Sequence, residues 1–337
     1  MFLIATELTM IRFMSAMAAL FLMALPLAAA ETRVFEAANG LVEIPADPQR
    51  IVSLHDLSIT LPLVEFGGVD KIAGSHGRVD DQGQPYIRTV NTLFGVDYAN
   101  TDIEFIGVFN EIDLERIAAL EPDLIIGRAG NDDKLLENLS KIAPTILIDV
   151  VGLDYFGRMH AVADAANLTD EYDRRQALYE LRIAESRRLI PNAKDISVSI
   201  IQPWPKDGYI NGSRTYYALS QVLDDIGFSK PQVIADITDK SGDAEFSPEF
   251  LPELDADFAF STYEIANSDQ ASPQQIRDAF EALIPGFCDI VHFCRNHQLA
   301  ILPRSPIYAS SFRSLEIAND SVLTHIVGRE FVPFRKN

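Results

Sequence analysis

Apolar residues in this chain fall into two kinds of run. Short continuous runs such as Ile51–Leu54, Leu124–Ile126, Ile196–Ile201, Phe258–Phe260 and Leu299–Leu302 read as buried strands. Between them lie stretches with helical spacing. The alternation predicts an α/β protein with parallel sheets. Two segments match without a gap: DLERIAALEPDLIIG at 113–127 and SPEFLPELDADFAFS at 247–261. Each opens on a helix-capping type, Asp113 or Ser247, and places a glutamate two positions later, Glu115 or Glu249. Apolar helix positions follow, Ile117 and Leu120 or Leu251 and Leu254, then an aspartate, Asp123 or Asp257, and an apolar run. Pro248 suits a first helical turn, whereas Pro252 must shorten or distort the second helix. A looser likeness precedes each unit. Ile51–Leu54 leads to a helix ending at Gly67-Gly68, and Ile196–Ile201 leads to a helix from about Thr215 to Ile226 ending at Gly227. The mature chain therefore reads as two similar halves.

Between the halves, Asp170–Ile190 has no Gly or Pro and is rich in helix formers. A helix of that length spans roughly 30 Å and serves as a connecting strut. Tyr172, Ala177, Leu181, Ala184 and Arg188 are read as its inward, only partly apolar, face. At the N-terminus, Met10 to Ala30 carries Arg12, an apolar run and the small residues Ala28-Ala29-Ala30, the pattern of a cleaved secretory signal. Glu7 suits such a leader poorly, so Met10 competes with Met1 as the start. Pro26 and the short apolar core argue against a membrane anchor, and no cysteine lies near the cleavage site to carry a lipid. The expected organisation is a leader over 1–30, an α/β lobe over 31–153, a helical connector over 154–192 and a second α/β lobe over 193–337.

The 337 residues carry a formal charge of −21, which disfavours nucleic acid and anionic lipid as partners. Export places Cys288 and Cys294 in an oxidising compartment. A short-loop disulfide, a zinc site shared with His292 and His297, and two free buried thiols are the three readings of that segment.

In open α/β sheets ligands bind beyond the carboxyl ends of the strands. That rule selects His55, Asp56 and Ser58 after the first strand, then His76 and Arg78, then Arg128. In the second half it selects Trp204, Arg214, Tyr263, Arg304 and Tyr308. Four arginines, Arg78, Arg128, Arg214 and Arg304, converge in an otherwise acidic chain, and arginine suits carboxylates. Trp204, Tyr263 and Tyr308 offer flat faces to a ligand. The sequence has no G-x-S-x-G elbow and no phosphate-binding G-x-x-x-x-G-K-[ST] loop. The His55-Asp56 pair beside Ser53 and Ser58 is a poor hydrolase signal, and no enzyme activity is expected.

The stretches QRIVSLHDLSITLPLVEFGGVDKIAG (49–74), GVFNEIDLERIAALEPDLIIG (107–127) and SPEFLPELDADFAF resemble the periplasmic binding proteins of iron-siderophore, haem and cobalamin ABC importers. Residues 77–107 look more like the ferric-siderophore branch. The resemblance implies two Rossmann-like lobes joined by one long helix that limits hinge motion. It implies a monomer that carries a ferric siderophore, with no cofactor and no metal ligand of its own. It gives Glu115 and Glu249 the role of docking on the permease. Tyr308 resembles an aromatic that lines the cleft in ferric hydroxamate binders, although Pro306 and Ile307 replace its usual aromatic neighbour. The arginines suit an anionic carboxylate or mixed citrate–hydroxamate complex. Haem, cobalamin or a bare metal ion are the alternative cargoes.

Overall fold

The computed structural model describes residues 31–334 except 109–110, 131–132, 266–268 and 329. The expected leader, with Met10 and Ala28-Ala29-Ala30, lies outside the described residues. The chain opens with a hairpin of β1 (Thr32–Ala37) and β2 (Gly40–Pro45). The N-lobe sheet follows: β3 (Ile51–Ser53), β4 (Ile72–Ser75), β5 (Glu104–Phe105), β6 (Leu124–Arg128) and β7 (Thr145–Ile148), in the order β7-β6-β3-β4-β5. Every pairing in it is parallel. Successive side chains point to opposite faces. Ile51, Leu124, Ile126 and Ile146 therefore enter one core, and Val52, Ile125 and Ile117 the other.

The C-lobe sheet holds β8 (Val198–Trp204), β9 (Tyr209–Ser213), β10 (Asp243–Phe246), β11 (Phe258–Tyr263) and β12 (Leu299–Pro303), in the order β10-β9-β8-β11-β12. The expected parallel pairing holds for β8, β11 and β12, while β9 and β10 pair antiparallel. Only Pro205 to Gly208 separate β8 from β9, with Gly208 at φ +76°. A link that short can only reverse the chain, because a parallel return needs a crossover of about a dozen residues.

The repeat read from the sequence has a structural counterpart. In the N-lobe, Asp113 caps α2 (Leu114–Ala119) through the Arg116 amide. In the C-lobe the equivalent segment, Pro248–Leu254, is a 3₁₀ helix with Pro252 inside it. The two aspartates do the same work. Asp123 accepts from the amides of Gln49 (2.6 Å) and Arg50 (2.9 Å), just before β3. Asp257 accepts from the Ser197 amide (2.7 Å), just before β8. Each fixes the start of its lobe's central strand to the strand beside it.

Two helices join the lobes, α3 (Tyr155–Ala165) and α4 (Thr169–Leu189). The face expected to point inward on α4 is wrong except at Tyr172. The buried positions are Tyr172, Tyr179, Ile183 and Ser186, whereas Ala177, Ala184 and Arg188 are exposed and Leu181 is 70% exposed. Burial is set by an aromatic cluster that spelling alone does not place: Phe66, Tyr172, Tyr179, Phe156 and Phe312 pack between the lobes.

The chain is also stitched together at one buried acid. Glu65 ends α1 (Leu61–Glu65) in the N-lobe. Its carboxylate accepts from the amides of Phe312 (2.9 Å) and Arg313 (2.7 Å), which open α5 (Phe312–Ile326) of the C-lobe. Arg175 of α4 reaches it at 3.3 Å. Burial pushes the Glu65 carboxyl up, and the Arg313 amide and the Arg175 guanidinium oppose that. Nearby, the Tyr155 hydroxyl donates to the Ala309 carbonyl (2.8 Å) and accepts from the Ser311 amide (2.9 Å).

Candidate functional site

The N-lobe wall of the cleft is built where β3 ends. Asp56–Thr60 forms a π-helical turn that runs directly into α1. Such turns are rare and concentrate at functional sites. A chain of buried hydroxyls holds this one: Ser53 to Thr60 (2.7 Å) and Thr60 to Ser75 (2.6 Å). The turn places His55 and Asp56 in the wall. Asp56 is fully buried and takes both arms of Arg88, at 3.1 Å from Nε and 2.8 Å from Nη2. Burial works against the Asp56 carboxylate, but Arg88 outweighs it and holds the carboxyl below its usual range.

The imidazoles of His55 and His76 stack with centroids 5.9 Å apart. Burial pushes both below their ordinary pKa, His55 to about 3, so His55 is neutral at physiological pH. A neutral imidazole accepts at one nitrogen only. The Ser58 amide sits 3.1 Å from Nδ1 and Arg128 Nη1 2.9 Å from Nε2. His55 therefore cannot satisfy both donors, and the Arg128 fork keeps capacity for another acceptor. Its Nε, like that of Arg78, is buried without a hydrogen-bond partner among the described residues.

The C-lobe wall is aromatic. A cavity of about 230 Å³ is lined by Trp204, Tyr209, Tyr216, Tyr308 and Arg304, with Gln202, Thr262 and Glu264 among its polar groups. The Arg304 guanidinium lies 4.0 Å from the Tyr308 ring centre. Tyr216 and Tyr217 pack on that same ring, at 4.8 and 4.4 Å. The Tyr216 hydroxyl meets Thr262 at 2.7 Å, and Gln202 completes the row. The Tyr86 phenol lies within electrostatic reach of both lobes. Burial raises its pKa, Arg78 and Arg88 of its own lobe lower it, and Glu264 of the C-lobe raises it.

Of the residues selected at strand ends, Trp204, Arg304 and Tyr308 line the C-lobe cavity, while Arg128 lies in the N-lobe against His55 and Arg78 beside Tyr86, both outside the lining of that cavity. Arg214 does not join them. Its Nε donates to the Ile237 carbonyl at 2.9 Å, so it braces a loop outside the cavity. Arg88, Tyr86, Tyr216 and Glu264 were missed. Tyr86 lies in the two-residue strand Pro85–Tyr86, paired antiparallel with Arg78–Val79, and Arg88 follows it, identified only by its closeness to Asp56 in space. Ser53 and His55 make no nucleophile–base pair: the Ser53 hydroxyl bonds Thr60, and the His55 ring nitrogens face Ser58 and Arg128.

Glu115 and Glu249 are both exposed in the first turn of their helices. Phe250, beside Glu249, is also exposed. Cys288 and Cys294 form a disulfide with their Cα atoms 4.7 Å apart. That engages both sulfurs of the zinc set considered above, while His292 bonds the Val332 carbonyl and Asn296. Among the described residues, no group of three or more His, Cys, Asp or Glu could hold a metal ion. No helix among them is long and apolar enough to cross a membrane.

Residues 85–281 match the family described as periplasmic binding protein. Two relatives come from Bacillus subtilis. "Probable siderophore-binding lipoprotein YfiY" is 27% identical over 255 residues, 71% of this chain and 71% of that one. "Iron(3+)-hydroxamate-binding protein FhuD" is 27% identical over 240 residues, 69% of each. Among solved structures, Staphylococcus aureus SirA complexed with staphyloferrin B superposes with a TM-score of 0.70 at 20% identity, covering 88% of this chain and 98% of that one. This last likeness concerns the fold.

Proposed function

The chain belongs to the periplasmic binding protein family, and on that premise we propose that it captures an anionic ferric siderophore between its lobes and hands it to an ABC permease. The observation that carries the anionic character is the pair of buried, unpartnered donors, Nε of Arg78 and of Arg128. A buried donor without an acceptor costs about 1–3 kcal/mol, and a carboxylate-bearing ligand removes that penalty at two places. Arg88, aligned by Asp56, adds a third guanidinium to the wall. The aromatic C-lobe cavity covers the apolar body of the complex, with Arg304 supplying one further positive group. The iron remains coordinated by the siderophore. The names of the relatives support iron-complex cargo. Glu115 and Glu249, one exposed on each lobe, orient docking on the permease. The protein works as an exported monomer after loss of its leader.

Trp204 lines the cavity and is the chain's only tryptophan. Its fluorescence is therefore the test. The mature protein is titrated with ferric siderophores of several classes, their iron-free forms, haem, cobalamin and zinc, with thermal shift as an optical control. Saturable quenching and stabilisation by a carboxylate-type ferric complex is the expected result. Tight binding of haem, cobalamin or zinc without a siderophore response sinks the cargo assignment.

A further inference from the structure

Thr89, like Tyr217 beside Tyr308, is a non-glycine residue at positive φ near the site. Its backbone sits at φ +68° and ψ −36°, close to the γ-turn conformation, and its side chain is β-branched. Such a residue is an outlier at positive φ and persists only where surrounding structure holds it. Glycine is the usual occupant of such a position. What holds Thr89 is the other lobe: its hydroxyl lies 3.1 Å from the Ser305 hydroxyl and 3.4 Å from the Ser305 carbonyl, and the residue is buried. The neighbours are matched. Arg88 immediately precedes Thr89, and Arg304 immediately precedes Ser305. Each arginine is anchored on its own wall, Arg88 by Asp56 and Arg304 against Tyr308. The backbone next to each continues into hydrogen-bonded turns: the Leu93 amide to the Thr89 carbonyl (2.9 Å), and the Tyr308 amide to the Arg304 carbonyl (2.9 Å).

We propose that Thr89 and Ser305 form a strained latch across the cleft floor that fixes the spacing between Arg88 and Arg304, making Thr89 a positioning residue for ligand capture. This rests on the binding role proposed above. The latch is made of contacts within the protein itself, so the spacing of the two arginines does not depend on the ligand and ordering them adds little cost at binding.

The test compares Thr89→Gly, Thr89→Ser and Ser305→Ala with the parent by three readouts. These are the thermal midpoint, amide hydrogen exchange without ligand, and affinity for ferric citrate and a ferric hydroxamate as probes. In Thr89→Gly, relief of strain offsets the lost hydroxyl and the added freedom of the unfolded chain. Its midpoint is expected to stay within about 2 °C of the parent. Exchange should quicken on both lobes, at 86–93 and at 304–309. Affinity for whichever probe the parent binds should fall about 5- to 10-fold, the scale of one charge-assisted contact. Ser305→Ala should show the same two-lobe exchange, and Thr89→Ser should recover the parent's affinity. A midpoint drop beyond about 5 °C in Thr89→Gly, or faster exchange confined to one lobe, overturns the latch. A parent protein that binds neither probe removes the binding role, and exchange with the midpoint then decides the latch alone.

Discussion

The two walls of the cleft face one space with opposite chemistry. The N-lobe wall is made of charge under control: three arginines, one fully buried aspartate, and two imidazoles whose pKa values burial pushes down. The C-lobe wall is made of rings, with Arg304 laid on one of them. The difference follows from what each lobe does after its central strand. β3 ends in a π-helical turn that brings the buried polar groups of His55, Asp56 and Thr60 together. β8 runs on into a hairpin, which offers a surface for aromatic residues. On the binding role proposed above, one wall would meet the charge of a ligand and the other its bulk.

The largest expected effect comes from unfastening the lobes themselves. Glu65→Ala leaves the two helix-opening amides without their acceptor, while Arg175 keeps Glu171, and should cost about 2–5 kcal/mol in urea denaturation. Unchanged stability would show that the walls are held in register by packing alone. Next comes the charged wall. Arg128→Met should weaken binding of an anionic ferric complex about 10- to 100-fold, the range for a hydrogen bond to a charged group. It should also flatten the salt dependence of binding. Tyr308→Leu should weaken it less, by about 2- to 10-fold, with its salt dependence intact. Equal salt slopes in the two variants would erase the distinction between the walls.

A third prediction uses the depressed imidazoles. Below pH 6.5 the unfolded chain binds protons that His55 refuses when folded until about pH 3. Stability should therefore fall as pH drops through that window, by up to about 1.4 kcal/mol per unit for His55. His76 is shifted in the same direction. His55→Asn should lessen the acid sensitivity between pH 6 and 4, read from urea midpoints; a variant as acid-sensitive as the parent would place the proton uptake elsewhere. The smallest effect belongs to the two exposed acids proposed to dock on the permease. Glu115→Gln and Glu249→Gln should leave ligand affinity unchanged and lower uptake through the reconstituted permease only a few-fold each, since an exposed ion pair is worth roughly 0–1 kcal/mol.

Much of this was legible in the sequence where backbone geometry alone decides the outcome. Matched capping residues, aspartates and apolar runs revealed the repeat, and Pro252 announced the 3₁₀ segment. The strand-end rule picked out Trp204, Arg304 and Tyr308, which line the C-lobe cavity, because strand ends are fixed by the sheet; for Arg78 and Arg128 the binding role is the proposal made above. It misplaced Arg214, whose long side chain turned to a carbonyl of its own lobe. It missed Arg88, whose place depends on a partner 32 residues away in sequence. The inward face of α4 failed for a related reason. Tyr172, Tyr179 and Ile183 are chosen by neighbours from both lobes, and that information is not local.

The segment from Arg304 to Arg313 belongs to the C-lobe by position, yet Ala309 sits fully buried in the N-lobe core. Glu65, near the beginning of the chain, finds its amide partners only at Phe312 and Arg313, about 250 residues later in synthesis. The first lobe's native set of contacts is therefore complete only when almost the whole polypeptide has emerged. Contacts this distant in sequence form late and slow the overall reaction. A truncation just before Arg304 should therefore disturb the lobe made first as well as the lobe it shortens.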